Sequence, residues 1–236
     1  MYVLGIETSG PVCSVGLVEG PRILGERSLT GARIHSIKLL PLISGLLDDL
    51  SLSRRDLGGI AVSVGPGSFT GLRIGLAVAK TLAQVLGIPV AGIGSLDVLA
   101  FPLVQHCRGA VCAMVPARKG EVYAAVYAGQ SRPSLGPVNV DVNGLSRLLA
   151  TTLGPVVCVG EAALLYAQEL SARGLAVTLA PLSLQEPRGI TVALMGQERL
   201  DSGDKDDPLT LTARYLRKSQ AELMWQGRKG ENGRCG

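Results

Sequence analysis

The segment from Gly65 to Gly71 has the residue types that suit the binding of an anion. It reads Gly-Pro-Gly-Ser-Phe-Thr-Gly, follows a β-branched run at 60–64 and precedes a helical pattern. Backbone amides at the start of a helix can hold a phosphate group in this setting. Residues 85–93 lack the Asp or Glu that a dinucleotide fold requires, and no Gly-Lys-Ser/Thr triplet of a Walker A loop is present. The segment is therefore a phosphate loop or a tight turn that lets a helix pack on a sheet.

A second candidate group, Glu7, Thr8 and Ser9, lies at the turn after the first predicted strand. An acidic residue and small hydroxyls there could hold a magnesium-bound phosphate. Phosphoryl transfer also requires a second phosphate loop and a catalytic acid, and residues 159–162 (VGEA) do not form such a loop. The candidate nucleotide-binding residues are Glu7, Thr8, Ser9, Gly65, Gly67 and Ser68.

Three scarce residue types exclude classes of function. The two histidines, His35 and His106, are too far apart for a zinc motif on one helix, so we expect no metal site. The five cysteines form no Cys-x-x-Cys pair and are odd in number, which favours a reducing, cytoplasmic setting. Eight scattered aromatic residues do not make a base-stacking platform. A peptidase would need metal ligands or a Ser/His/Asp arrangement, and neither is apparent.

The charge of the chain is concentrated near its end. The formal net charge is +4, and residues 217–236 contain five Lys or Arg against two Asp or Glu. We therefore expect a flexible basic tail at 218–236 and a nearly neutral body. The whole chain has 47% hydrophobic residues and a mean hydropathy of +0.33, which is enough to bury a sizeable core. We expect no membrane segment.

The hydrophobic pattern predicts a mixed sheet. Three short strands at 3–7, 12–18 and 22–28 are separated by Ser-Gly-Pro and Glu-Gly-Pro turns. Helices near 36–50 and 70–86 then alternate with strands at 60–64 and 90–93, and a further helix begins near Ser95. This β-β-β-α-β-α-β-α order resembles the ribonuclease H-like core of actin-like domains. Further strands are predicted at 111–115, 121–127 and 156–159, with a loop at 129–137 and a solvated loop at 201–208.

The first two predicted helices are apolar over a wider arc than one sheet covers. Gly71, Gly75, Ala79 and Ala83 recur at every fourth position, so another helix could approach closely along that stripe. The helices either cover one another and the second half of the chain or form an interface with a partner. The predicted interface residues are Ile37, Leu40, Ile43, Leu47, Gly71, Leu72, Gly75, Leu76, Ala79 and Ala83.

A series of motifs resembles the bacterial TsaB family, also called YeaZ. The series comprises IETS, HSIKLLP, GPGSFTGLRIG, ARKGEVY, VGEAA and YLR, and it extends from residue 6 to residue 217. The resemblance implies an actin-like fold without catalysis of its own, acting with a catalytic TsaD-like paralogue and a TsaE-like ATPase. These proteins make N6-threonylcarbamoyladenosine next to the tRNA anticodon. Glu7 stands where an Asp is usual, and Pro116 where an Asp usually precedes the Ala-Arg pair.

The resemblance completes the functional prediction. We expect a non-catalytic scaffold subunit that contacts tRNA mainly through the complex, with a homodimer as the alternative assembly when the partner is absent. No cofactor is expected for the isolated chain, whereas the assembled complex is a candidate to bind ATP or ADP. The alternative function is a nucleotide hydrolase or phosphotransferase using Glu7 and the Gly65–Gly71 loop. The predicted organisation is an N-terminal actin-like subdomain at 1–108, a reduced subdomain at 109–217 and the tail at 218–236.

Overall fold

The computed structural model describes residues 1–31, 34–107, 109–129 and 132–216, and the predicted tail at 218–236 lies outside these residues. The described chain contains two five-stranded mixed sheets, in the strand orders β3-β2-β1-β4-β5 and β10-β9-β6-β7-β8. The first sheet comprises β1 (Tyr2–Glu7), β2 (Val12–Glu19), β3 (Arg22–Thr30), β4 (Leu57–Gly65) and β5 (Val90–Gly94). The second comprises β6 (Ala110–Pro116), β7 (Glu121–Tyr127), β8 (Leu135–Asp141), β9 (Val156–Val159) and β10 (Val177–Leu179).

Strand direction in the first sheet follows from its connections. Short turns join β1, β2 and β3 into an antiparallel meander, whereas helical crossovers make β4 and β5 parallel to β1. The helices of this half are α1 (His35–Asp49), α2 (Phe69–Leu86) and α3 (Ser95–Val104). The predicted β-β-β-α-β-α-β-α order and the mixed sheet are confirmed.

Helices cover both faces of the first sheet. Alternate β1 residues point to opposite sides: Leu4 packs with α1 and α2, whereas Val3 packs with α6 (Gly189–Asp201). Residues Val3 to Glu7 are consequently all buried, the pattern of a strand covered on both faces. Helix α6 follows the second sheet in the chain and packs on the first sheet. We therefore propose that residues 189–216 belong to the first subdomain, and that the second subdomain is shorter than the predicted 109–217.

The segment after α6 is anchored to the first sheet. We call residues 204–216 the C-terminal strap. The Asp206 carboxylate accepts a hydrogen bond from the Gly92 backbone amide at 2.7 Å and forms an ion pair with Arg199 at 3.0 Å. Further along, the Lys80 ammonium group donates to the Leu211 carbonyl at 2.9 Å, and the Arg214 amide donates to the Val64 carbonyl at 2.7 Å. The prediction of a solvated loop at 201–208 is therefore wrong for Asp206.

The second half contains elements that the hydrophobic pattern did not reveal. Strand β8 begins at Leu135, inside the predicted loop at 129–137, and it forms one edge of its sheet. Pro137 is compatible with this position because an edge strand has one row of unpaired backbone groups. The helices of this half are α4 (Val142–Ala150) and α5 (Glu161–Ala172).

Helix α2 is long and apolar enough to meet a length-and-hydropathy criterion for crossing a bilayer, with 18 residues and a mean hydropathy of 1.2. A core helix of a globular domain meets the same criterion, and α2 packs along β4 while carrying Arg73 and Lys80. The criterion is therefore weak evidence for a membrane span here.

Candidate functional site

The Glu7 carboxyl group is enclosed at the end of β1. One oxygen accepts a hydrogen bond from the Ser9 backbone amide at 2.5 Å, and the other accepts from the Ser63 hydroxyl group. The residue is 0% exposed. Burial raises the pKa of this carboxyl above its ordinary value, although the Ser63 and Ser9 hydrogen bonds oppose the rise. Glu7 therefore supports the turn at 7–10 from inside the fold.

The glycine-rich segment packs directly against this turn. The Ser68 amide donates to the Ser9 carbonyl at 2.7 Å, and the Ser68 hydroxyl group accepts from the Gly71 amide at 3.2 Å as the N-cap of α2. Gly67 has no room for a side chain, because a Cβ atom there would collide with the Ser9 carbonyl oxygen. The structure thus brings Ser9, Gly67 and Ser68 together.

These loops form one end of a cleft of about 860 Å³. Its other walls come from His35 at the start of α1 and from Pro116, Glu161 and Glu186 of the second half. Burial raises the pKa of the Glu186 carboxyl, and the negative charges of Glu161 and Glu7 raise it further. Among the described residues that line the cleft there is neither Lys nor Arg. In the described part of its lining, this first cleft therefore presents the carboxyl groups of Glu161 and Glu186, with His35 as the one basic side chain.

An actin-like fold suggests a magnesium nucleotide in this cleft, and the residues present do not fit one. Glu7 is 0% exposed and is not among the residues that line the cleft, and each of its oxygens accepts a hydrogen bond inside the protein, so this carboxylate is not presented to a bound metal. Glu161 and Glu186 would repel a triphosphate. In the described ranges, no group of three or more His, Cys, Asp or Glu residues could hold a metal ion.

The stripe of small residues on α2 faces inward and contacts the protein's own β1 turn. A Cβ atom at Gly75 would collide with the Thr8 hydroxyl group, and one at Gly71 with the Thr8 carbonyl oxygen. Most residues of the predicted interface are therefore packed inside the chain, and their contact with a partner stays a prediction. The buried members are Ile43, Leu47, Gly71, Leu72, Gly75, Leu76, Ala79 and Ala83.

Two of the predicted interface residues remain on the surface. Ile37 and Leu40 are 67% and 56% exposed on α1, and they lie on the side of that helix that does not contact the sheet. Their exposure is high for large aliphatic side chains. They are the members of the predicted set that a partner protein could contact.

Phe69, Arg73 and Tyr215 form a surface cluster that the sequence analysis missed. The Phe69 and Tyr215 rings lie 5.3 Å apart, and the Arg73 guanidinium carbon lies 3.8 Å from the Phe69 ring centroid. Both aromatic residues are about half exposed. The spacing of Phe69 and Arg73 at i and i+4 on α2 was a readable signal, whereas Tyr215 is 142 positions away from Arg73.

Comparison with known proteins identifies the family. The family model described as "TsaD: tRNA N6-adenosine threonylcarbamoyltransferase" matches residues 23–151, more than half of the chain. The tRNA threonylcarbamoyladenosine biosynthesis protein TsaB of Bacillus subtilis is 31% identical over 232 residues, which cover 95% of this chain and 98% of that protein. The chain belongs to the TsaB (YeaZ) family. Escherichia coli TsaB matches over a shorter region, at 36% identity over 129 residues that cover 54% of this chain and 55% of that protein.

Solved structures support the TsaB assignment and the actin-like fold. A Pseudomonas aeruginosa protein described as similar to peptidase YeaZ has a TM-score of 0.77 at 26% identity, covering 92% of this chain and 99% of that chain. The ethanolamine utilization protein EutJ of Carboxydothermus hydrogenoformans has a TM-score of 0.55 at 12% identity, covering 83% and 90% of the two chains. The second likeness shows the fold alone. The predicted actin-like fold of this TsaB family member is confirmed.

Proposed function

We propose that this chain is a non-catalytic, cytoplasmic subunit in the formation of tRNA N6-threonylcarbamoyladenosine. It binds a TsaD-like transferase, which performs the chemistry, and it works with a TsaE-like ATPase. The observation that carries this proposal is the relationship to Bacillus subtilis TsaB over 95% of the chain. The tRNA is contacted mainly through the assembled complex. When the transferase is absent, the same surface serves a homodimer.

The surface of α1 supports a role in binding a protein. Ile37 and Leu40 project from one turn of a helix whose opposite face is packed on the sheet. Burial of exposed aliphatic groups by a partner stabilises the complex, by about 25 cal/mol per Å² of apolar area removed from water. The Phe69–Arg73–Tyr215 cluster adds residue types that are frequent at energetically important interface positions.

The first cleft argues against the alternative of a nucleotide hydrolase or phosphotransferase. Its carboxylates at Glu161 and Glu186 oppose the binding of a triphosphate, and Glu7 is committed to Ser9 and Ser63. Calorimetry of the isolated chain with ATP and magnesium tests this alternative. Micromolar binding that disappears in Glu7→Gln would favour the hydrolase and count against a purely structural Glu7.

Association with the transferase tests the proposed function. We expect the full chain to co-purify with a TsaD-like partner and Leu40→Asp to abolish co-purification. Leu165→Asp is the matched control, because Leu165 is 63% exposed on α5 in the second half of the chain. Failure of the wild-type chain to associate, together with transfer activity that is indifferent to its presence, would show that the proposed function is wrong.

A further inference from the structure

A second cleft, of about 670 Å³, lies at the carboxyl ends of the parallel strands β4 and β5. Gly65, the last residue of β4, lines it together with Pro66, and so does Gly94, the last residue of β5. Crevices at the carboxyl ends of parallel strands are the usual ligand sites of open α/β sheets. The position of this cleft is therefore suited to a ligand, and its lining differs from that of the first cleft.

Two arginines line this second cleft, each within electrostatic range of one of its carboxylates, Asp204 for Arg132 and Asp97 for Arg214. Arg214 belongs to the C-terminal strap, and Arg132 belongs to the connection between β7 and β8. Neither side chain forms a hydrogen bond or an ion pair with another described residue, and both residues are exposed. The backbone of Arg214 is nevertheless fixed, because its amide donates to the Val64 carbonyl at 2.7 Å. The strap thus holds one guanidinium group at the cleft.

The acidic residues of the second cleft are mostly engaged within the protein. Asp204 receives two hydrogen bonds of 2.8 Å from Arg199. The Tyr127 hydroxyl group donates to Asp97 at 2.7 Å, and burial raises the pKa of the Asp97 carboxyl. Glu198 also lines the cleft, and among the described residues its carboxylate accepts no hydrogen bond. The charges of Arg132 and Arg214 are therefore partly compensated by Asp204 and Asp97, although neither guanidinium group donates a hydrogen bond to an acid among the described residues.

We propose that the second cleft binds a phosphate group, as a nucleotide or as part of an RNA backbone, through the guanidinium groups of Arg132 and Arg214. The planar guanidinium fork of arginine matches two phosphate oxygens at once. Pro66, Ile93 and Met195 provide apolar surface beside this site for the rest of the ligand. The proposal does not depend on the transferase partner.

Binding of two probes to the full chain tests this proposal. The probes are a labelled 20-nucleotide RNA, followed by fluorescence anisotropy, and adenosine monophosphate, followed by calorimetry. The test variant is Arg132→Glu with Arg214→Glu. The control is Arg22→Glu with Arg55→Glu. It makes the same charge change at the opposite ends of the strands, where β3 and β4 begin. All the chains keep the same basic C-terminal region.

We expect the test variant to bind RNA at least about tenfold more weakly than the wild type, and the control variant to stay within about twofold. The slope of log affinity against log salt should fall by about 1.4 for two lost contacts to single-stranded RNA.

Loss of adenosine monophosphate binding in the same variant would identify a phosphate monoester as a ligand, and binding of RNA alone would identify the backbone. Equal loss in both variants, unchanged binding in the test variant, or binding of neither probe by the wild type would overturn the proposal. Arg132→Gln with Arg214→Gln, checked by thermal melting, replaces the test variant if charge reversal prevents folding.

Discussion

Helix α2 is apolar, and its two faces have different roles. On the inner face, Gly71 and Gly75 allow the helix backbone to contact Thr8 of the β1 turn. On the outer face, Phe69 and Arg73 form a surface cluster with Tyr215 of the strap. Small residues at helical spacing therefore mark close packing within this chain, whereas the surface available to a partner is made of larger side chains.

The inner face should be the most sensitive to added volume. We expect Gly75→Leu to lower the free energy of unfolding by about 3 kcal/mol or to prevent folding, because the new side chain meets Thr8 at a buried position. Denaturant unfolding measures the change. The control is Ala77→Leu, which places the same side chain at an exposed position two residues later and should cost less than about 0.5 kcal/mol. Equal stability of the two variants would contradict the assignment of the inner face.

The exposed side of α1, unlike the inner face of α2, should respond to substitution in binding and not in stability. We expect Ile37→Asp to weaken association with the TsaD-like partner at least about tenfold, or about 1.4 kcal/mol, while the unfolding midpoint stays near that of the wild type. Surface plasmon resonance measures the affinity. A loss of stability that matches the loss of binding would mean that Ile37 acts through the fold.

The Phe69–Arg73–Tyr215 cluster links the outer face of α2 to the C-terminal strap. We expect Tyr215→Ala to lower the free energy of unfolding by about 1 kcal/mol, since it removes a ring pair at a half-exposed site. Tyr215→Phe keeps the ring and should change stability by less than about 0.5 kcal/mol. A larger effect of the Phe variant than of the Ala variant would show that the hydroxyl group, and not the ring, holds the strap.

The buried carboxyl group of Glu7 should make the stability of the fold depend on pH. Because burial raises its pKa in the folded state, folding favours the protonated form, and its contribution to stability is lost as pH rises above about 4.3, the ordinary pKa of Glu. Gln keeps a group that can accept from Ser9 and donate to Ser63. We expect the melting temperature of Glu7→Gln, measured relative to that of the wild type, to increase as pH rises from 4 to 8. A constant difference between the two proteins would show that Glu7 does not titrate in this way.

Sequence reasoning succeeded where a local pattern determines the structure. The turns after Glu7 and Glu19, and the strand–glycine–helix sequence around Gly65, predicted the first sheet and its crossovers. It failed where an element depends on distant contacts. The strap has no periodic pattern, and its position follows from Asp206, Lys80 and Arg214, each bonded to a residue far away in the chain.

The candidate site was predicted in part for the same reason. Helical spacing showed that Gly71 and Gly75 share a face, but spacing cannot show whether that face meets a partner or the chain itself. The answer depended on Thr8, more than sixty positions away. Asp97 lies in the first turn of α3, and its hydrogen bond with Tyr127 arises only when the two halves of the chain meet.

Reconstituted tRNA modification tests the central claim most directly. A TsaD-like transferase with its TsaE-like ATPase and threonylcarbamoyl-adenylate is assayed for modified tRNA with this chain, with the Leu40→Asp variant, with the Leu165→Asp control, or without any of them. We expect the wild-type chain and the control to support modification, and Leu40→Asp to behave like omission of the chain. Equal modification in all four reactions would contradict a role for this chain as a subunit that acts through α1.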